Sequence, residues 1–119
     1  MRDIAQGHGL TAEAEYVDGY PVTVNDTAET AFAMATAADI FGVGRARTPS
    51  QPLAGAEDFS FVMQQVPGAF IMLGACPAGA DPQTAPSNHS AVAVFDDAVL
   101  ADGAALYAEL ALRRLAVGA

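Results

Sequence analysis

The run Ala69-Phe70-Ile71-Met72-Leu73 constrains this chain most. It is apolar throughout and bracketed by Pro67-Gly68 and Gly74. A strand with one face in water alternates apolar and polar residues, and this run does not. It therefore predicts a strand covered on both faces, which needs a layer on each side. Helical patterns flank it in sequence. Asn25 or Asp26 is placed to cap a helix, Asp26 and Glu29 have the spacing of a capping box, and Gly42 is placed to end it. Ala28, Ala31, Phe32, Ala35 and Ile40 give that helix an apolar face. Residues 56–66 predict a short helix with Asp58 near its start. Residues 97–116 predict a last helix, capped by Asp96 or Asp97, with an apolar stripe through Leu100, Ala104, Tyr107, Ala111 and Leu115. Further strands are expected at 12–17, which alternates, at the β-branched 22–24, and at 43–48. Helices alternating with strands predict an α/β layered fold.

The beginning of the chain fits this plan less well. Residues 1–8 read as the end of a helix, with Gly9 after His8 in the left-handed position of a C-terminal turn. A helix with no strand before it reads as the tail of another unit. The turn Asp18-Gly19-Tyr20-Pro21 marks the boundary, between Gly19 and Asn25.

At 119 residues, with 52% hydrophobic and 16% charged, the chain has a globular composition and is long enough to bury a core. Its net charge of −9 argues against nucleic acid and anionic membranes as partners, which call for clustered Lys and Arg. The acidity serves solubility, and it would also suit a cationic partner. Cys76 is the single cysteine, so no disulfide within the chain and no cysteine metal cluster can form. That usage, with no signal-peptide pattern at Met1-Arg2-Asp3-Ile4, points to the cytoplasm. Asp96, Asp97, Asp102, Glu109, Arg113 and Arg114 interrupt the C-terminal apolar stretch, so no membrane span is expected.

Candidate chemistry is sparse. The Pro-, Gly- and Ala-rich loop 75–91 carries Ser87-Asn88-His89-Ser90. His89 reads either as a surface histidine or as a neutral imidazole metal ligand. Glu57 and Asp58 stand where acids complement a helix N-terminus. Gly55-Ala56-Glu57 also reads as a loop whose amides hold a substrate carboxylate. His8 reads as a helix-end residue, and Cys76 as an inert small apolar one. No phosphate-binding loop, dinucleotide fingerprint, His-Glu-x-x-His or Gly-x-Ser-x-Gly occurs.

Three ordered blocks carry a resemblance. The first is Gly19-Tyr20-Pro21 with Val24-Asn25. The second is Gly55-Ala56-Glu57-Asp58-Phe59-Ser60, then Val66-Pro67-Gly68-Ala69-Phe70 and Leu73-Gly74. The third is Asn88-His89-Ser90, then Phe95-Asp96-Asp97-Ala98 and Gly103-Ala104. Together they cover nearly the whole chain. They resemble the late part of metal-dependent amidohydrolases of the aminoacylase, hippurate hydrolase, carboxypeptidase G and indole-acetyl-amino-acid hydrolase family.

The resemblance implies a zinc-exopeptidase-like α/β catalytic domain interrupted by an α+β lid and dimerisation domain. Residues 1–20 would end the lid, and 21–119 would be the C-terminal part of the catalytic domain. It implies hydrolysis of the amide bond of N-acyl amino acids or small peptides, with two divalent ions, zinc or manganese. His89 matches the last metal ligand, and Gly55, Ala56 and Glu57 match the loop that approaches the substrate carboxylate. The family's catalytic base and other ligands match nothing here, so no catalytic residue is assigned and no tightly held ion is expected. Ala91 stands where the family pattern has Pro after His-Ser, which leaves that loop less restrained.

Three readings follow. The chain is the C-terminal part of an enzyme, inactive alone. Or it is a non-enzymatic binding or dimerisation module. Or it is one of two chains that reconstitute a catalytic domain. Each implies self-association or pairing with the missing N-terminal half.

Overall fold

A computed structural model describes residues 1–117. It contains four helices: α1 (Arg2–Gly7), α2 (Thr27–Phe41), α3 (Phe59–Met63) and α4 (Val99–Val117). The helix ends follow local chemistry. Gly9, at φ 69°, takes the left-handed conformation after α1, as its place beyond His8 predicts. Asp26 caps α2: one carboxylate oxygen accepts from the amides of Ala28 and Glu29, each at 2.9 Å. Gly42, at φ 92°, ends that helix, and its N–H donates to the carbonyl of Ala38 at 2.8 Å. The reciprocal half of the capping box is not made, because the Glu29 carboxylate pairs with Arg114 instead.

Among the described residues there is no strand. This departs from the α/β expectation at 12–17, 22–24, 43–48 and 69–73. A strand exists only by pairing with another strand, so strand-forming sequence alone does not make a ladder. Ile71, Met72 and Leu73 are about half exposed rather than covered on both faces.

Three segments still lie side by side. The amide of Asp26 donates to the carbonyl of Gly68 at 2.9 Å. The Asn25 side chain accepts from the amide of Phe70 at 2.9 Å and donates to its carbonyl at 3.3 Å. Asn25 thus satisfies both backbone groups of one residue, as a neighbouring strand would. The amide of Asp96 donates to the carbonyl of Ala75 at 2.9 Å, closing the base of the 75–91 loop.

Helix α2 packs on α4. The expected core is largely missing: the buried apolar residues among those described are Ala33 and Ala37, with Thr36 and Ser60 as buried polar neighbours. The expected face of α2 is also misplaced, since Ala28, Ala31 and Ala35 are exposed and the buried positions lie at 33, 36 and 37.

Helix α4 is turned the opposite way from the sequence expectation. Leu100, Ala104, Tyr107, Ala111 and Leu115 face solvent, while Val99, Leu106 and Leu110, edged by Asp102, Glu109 and Arg113, make up the half-buried side. Ion pairs lie along the edges of that side. Arg113 bonds Asp39 at 2.6 Å and Glu109 at 3.1 Å, Arg45 bonds Asp102 at 3.1 Å, and Arg114 pairs with Glu29. The Arg114 guanidinium also lies 4.3 Å from the centre of the Phe32 ring. The hydrogen bonds that Arg113 donates, first to Asp39 and then to Glu109, raise its pKa further, so it stays charged at every physiological pH.

The result is an open molecule. Its radius of gyration is 20.1 Å and its accessible surface 9787 Å². A compact domain of this length would have a radius near ~13.5 Å. Its surface would be roughly 6,000 Å².

Two stability outcomes follow. Asp26→Ala should lower stability by about 1 kcal/mol, the usual worth of such a cap, read as a drop in helical signal and urea midpoint. At Gly103, an added Cβ would lie 3.1 Å from Leu73 Cδ2, the end of a half-exposed side chain that can yield. Removing a helix-interior glycine gains about 0.5–1 kcal/mol. Gly103→Ala should therefore raise the midpoint, and Gly103→Val should raise it less. A fall for Gly103→Ala would show that Leu73 is held rigidly.

Candidate functional site

Serine-built turns hold His89 at the surface. Its amide donates to Ser87 Oγ at 3.3 Å, and the Ser90 amide donates to the Ser87 carbonyl at 2.9 Å. Ser90 Oγ accepts from the amide of Val92 at 3.3 Å. The imidazole itself is exposed and makes no hydrogen bond among the described residues. Upstream, Asp81 turns the same loop by accepting from the amides of Gln83 and Ala85. Hydrogen bonds thus shape the backbone around His89, while its ring is left to whatever approaches.

Gly55, Ala56 and Glu57 lie in the stretch before α3. Gly55 is not in the left-handed region, and a Cβ there would meet nothing within 4 Å. Nothing within this chain therefore demands glycine at that position. Glu57 uses one carboxylate oxygen to accept from the amide of Phe59 at 3.3 Å, which is the helix-start role its position suggests. Asp58 occupies the cap position but makes no side-chain cap bond.

The structure joins residues of the first two sequence blocks, though not at the assigned ligands. Tyr20 meets Phe61 edge to face with centroids 5.8 Å apart, and Phe59 lies 6.1 Å from Phe70. With the Asn25–Phe70 hydrogen bonds, these contacts tie the Gly-Tyr-Pro turn, α3 and the Val-Pro-Gly segment into one cluster. Ser60 sits almost fully buried beneath it, its hydroxyl without a protein partner. The role of Asn25 went unrecognised in the sequence. The signal was there: Asn25 and Asp26 are both cap-forming residues, and a helix start takes only one.

No hydrogen bond or ion pair among the described residues links His89 to the 55–57 segment. Two open clefts occur. One, of about 480 Å³, is lined by Asn25, Asp26, Met63, Gln64, Pro67 and their neighbours. The other, of about 460 Å³, lies within the His89 loop and is lined by Pro77, Asp81, Pro86, Val92 and Val94, among others. Neither contains His89 or Gly55. His8 closes α1 through its backbone amide, which donates to the Ala5 carbonyl at 3.0 Å. Cys76 is half-buried, with Sγ 3.8 Å from the Ala80 carbonyl. Among the described residues, no three His, Cys, Asp or Glu side chains gather into a metal-holding group. None of the described helices is long and apolar enough to cross a membrane.

Comparison with known proteins supplies what local geometry does not. Residues 5–113 match the model of Peptidase family M20/M25/M40. The chain is 36% identical over 96 residues to the IAA-amino acid hydrolase ILR1-like 4 of Arabidopsis thaliana, covering 81% of this chain and 21% of the relative. It is 34% identical over 107 residues to thermostable carboxypeptidase 2 of Saccharolobus solfataricus, covering 89% and 26%. It is 29% identical over 114 residues to the hippurate hydrolase of Campylobacter jejuni, covering 96% and 28%. The chain thus spans about a quarter of the length of these relatives. No solved structure gives a significant match. The match runs through all three sequence blocks and nearly the full length, and the chain belongs to Peptidase family M20/M25/M40.

Proposed function

We propose that this chain is the C-terminal part of a metal-dependent amidohydrolase that cleaves the amide bond of N-acyl amino acids or small peptides. The observation that carries the reading is the family match over residues 5–113, which spans only about a quarter of the relatives. Their printed names, an amino-acid conjugate hydrolase, a carboxypeptidase and a hippurate hydrolase, share cleavage of an amide bond next to an amino acid. On this reading residues 1–20 end a lid domain, and 21–119 belong to a zinc-exopeptidase-like catalytic domain of a cytoplasmic enzyme.

Within that enzyme we assign His89 as a metal ligand. Its exposed, unengaged ring on a hydrogen-bonded loop supports this. We assign Gly55, Ala56 and Glu57 to the substrate-carboxylate loop. Gly55 has open space where a side chain would stand, so another backbone or a substrate can come close. The residues present do not make a two-ion site by themselves, because one exposed histidine is not a coordination set. No hydrolytic step is therefore routed through this chain alone.

The stand-alone module is the weaker reading. A module that folds by itself needs a core, and here the buried apolar residues among those described are two alanines.

The purified chain should not hydrolyse hippurate with zinc or manganese added. Metal-dependent turnover above a His89→Ala control would overturn the reading. In a complete enzyme carrying this segment, His89→Ala should lower both metal content and turnover, while His8→Ala should leave both near normal. Full metal content and normal turnover in the His89→Ala enzyme would leave the resemblance as one of fold alone.

A further inference from the structure

The chain contains five arginines and no lysine, and four of the arginines are engaged. Arg113 donates to Asp39 and Glu109, and Arg114 pairs with Glu29 and lies over Phe32. Arg45 pairs with Asp102 at 3.1 Å, and Arg2 donates to the Ala14 carbonyl at 3.2 Å. Arg47 makes no ion pair or hydrogen bond among the described residues.

Arg47 stands in the helix-free segment that joins α2 to α3. From Val43 to Ala56 every residue is exposed except Ala46, which is half-buried. Two hydrogen bonds tie that stretch down among the described residues, and both come from Arg45. Its amide donates to the Gly42 carbonyl at 3.3 Å, and its guanidinium donates to Asp102. Residues 40–56 also hold two positive charges and no negative one, in a chain whose net charge is −9.

We infer that the Arg47–Thr48 peptide bond is a processing site, cut by an endopeptidase whose acidic primary pocket selects arginine. Water adds across the bond, leaving a new carboxylate on Arg47 and a new amino group on Thr48. The endopeptidase supplies the catalytic groups. The inference stands on this chain's own structure and not on the function proposed above.

A peptide bound in such a groove lies extended and pairs its backbone with the edge of the groove. The side chain before the cut bond enters the pocket. The segment meets both needs. Beyond Arg45 its backbone groups are not committed, and Pro49 restricts Thr48 to extended conformations. Exposed connections of this kind are where chains are nicked. A positive island in an acidic chain also steers an acidic pocket to this place.

The other arginines fail one need or both. Arg113 and Arg114 lie inside α4, so their backbone must leave the helix and their side chains must leave their partners. Arg2 begins α1 with a single residue before it. Arg45 is held by Asp102 and followed by half-buried Ala46. The helix-free stretches 9–24 and 75–95 contain no basic residue. A cut after Arg47 puts α2 on one piece, and residues 55–57, His89 and α4 on the other.

The test is brief digestion of the purified chain with a low ratio of trypsin, read by intact-mass spectrometry. The same digestion of the urea-unfolded chain gives the rate at each arginine without structure. The unchanged chain, Arg47→Gln and Asp102→Asn are compared, with circular dichroism to show equal helicity. The folded chain should first yield 1–47 and 48–119. Arg47→Gln should slow the first cut on the order of tenfold or more relative to the unchanged chain, because the remaining arginines must first be released. Asp102→Asn should speed the Arg45–Ala46 cut about two- to fivefold, the worth of one exposed ion pair, and leave the Arg47–Thr48 cut unchanged.

A first cut at any other arginine overturns the inference, as does a folded chain cut at all arginines in the proportions of the unfolded one. Equal rates for Arg47→Gln and the unchanged chain overturn it too. No rise at Arg45 in Asp102→Asn removes the reason that Arg45 is spared, and with it the selection of Arg47.

Discussion

The contact of α4 with α2 leaves one face of α4 uncovered, and most of what is unusual in this molecule follows from that. Arg113 reaches Asp39 and Glu109, Arg114 reaches Glu29 and lies over Phe32, and Asp102 holds Arg45. Each is a surface pair, worth about 0–1 kcal/mol once solvent screening is counted. Small residues at Ala33, Thr36 and Ala37 occupy the buried side of α2. The contact is therefore shallow, with Val99, Leu106 and Leu110 of α4 half-buried and ion pairs at its edges. Removing one leucine or tyrosine of the uncovered face from water would contribute about 1.5–3 kcal/mol. On those magnitudes, covering one such leucine outweighs any single ion pair of α4.

Features legible in the sequence are those that a few adjacent residues decide. Gly9 after His8, Asp26 before α2, Gly42 after it and Pro67 after α3 each act within one turn of backbone, and the helices begin and end near them. Strands escaped because their hydrogen bonds run to residues far away in sequence. The apolar run 69–73 has strand composition and no ladder, and Asn25 provides the nearest thing to a neighbour by bonding both backbone groups of Phe70. Helix rotation escaped for a related reason. Periodicity shows that α4 has two unlike faces, and the choice of which one turns inward depends on the partner. Beside α2, the side carrying Val99, Leu106 and Leu110 turned inward, with Arg113 and Arg114 at its edges reaching Asp39 and Glu29.

The candidate site divides in the same way. Residue type and motif order were enough to single out His89 and the 55–57 segment, and serine turns do hold His89 on an ordered backbone path. Motif order did not foresee that Tyr20, assigned to the unit ending at residue 20, would meet Phe61, or that Asn25 would bond Phe70. Coordination is different, because it needs several side chains from separate elements to converge on one point. A single chain segment can supply a ligand without supplying the convergence.

A helix satisfies its backbone within itself, so a quarter of a family chain can keep its helices when nothing else is present. A sheet cannot, because each strand borrows its hydrogen bonds from a neighbour. The described residues divide along that line, with four helices, no strand, and side-chain hydrogen bonds standing in at Asn25. The same logic explains where the apolar surface is left over. It lies on the outward face of the longest helix and on the segment with strand composition, which meet where Leu73 touches Gly103. In a layered fold a helix and a strand share the covering of one core. Here both are present, and both keep that surface uncovered among the described residues.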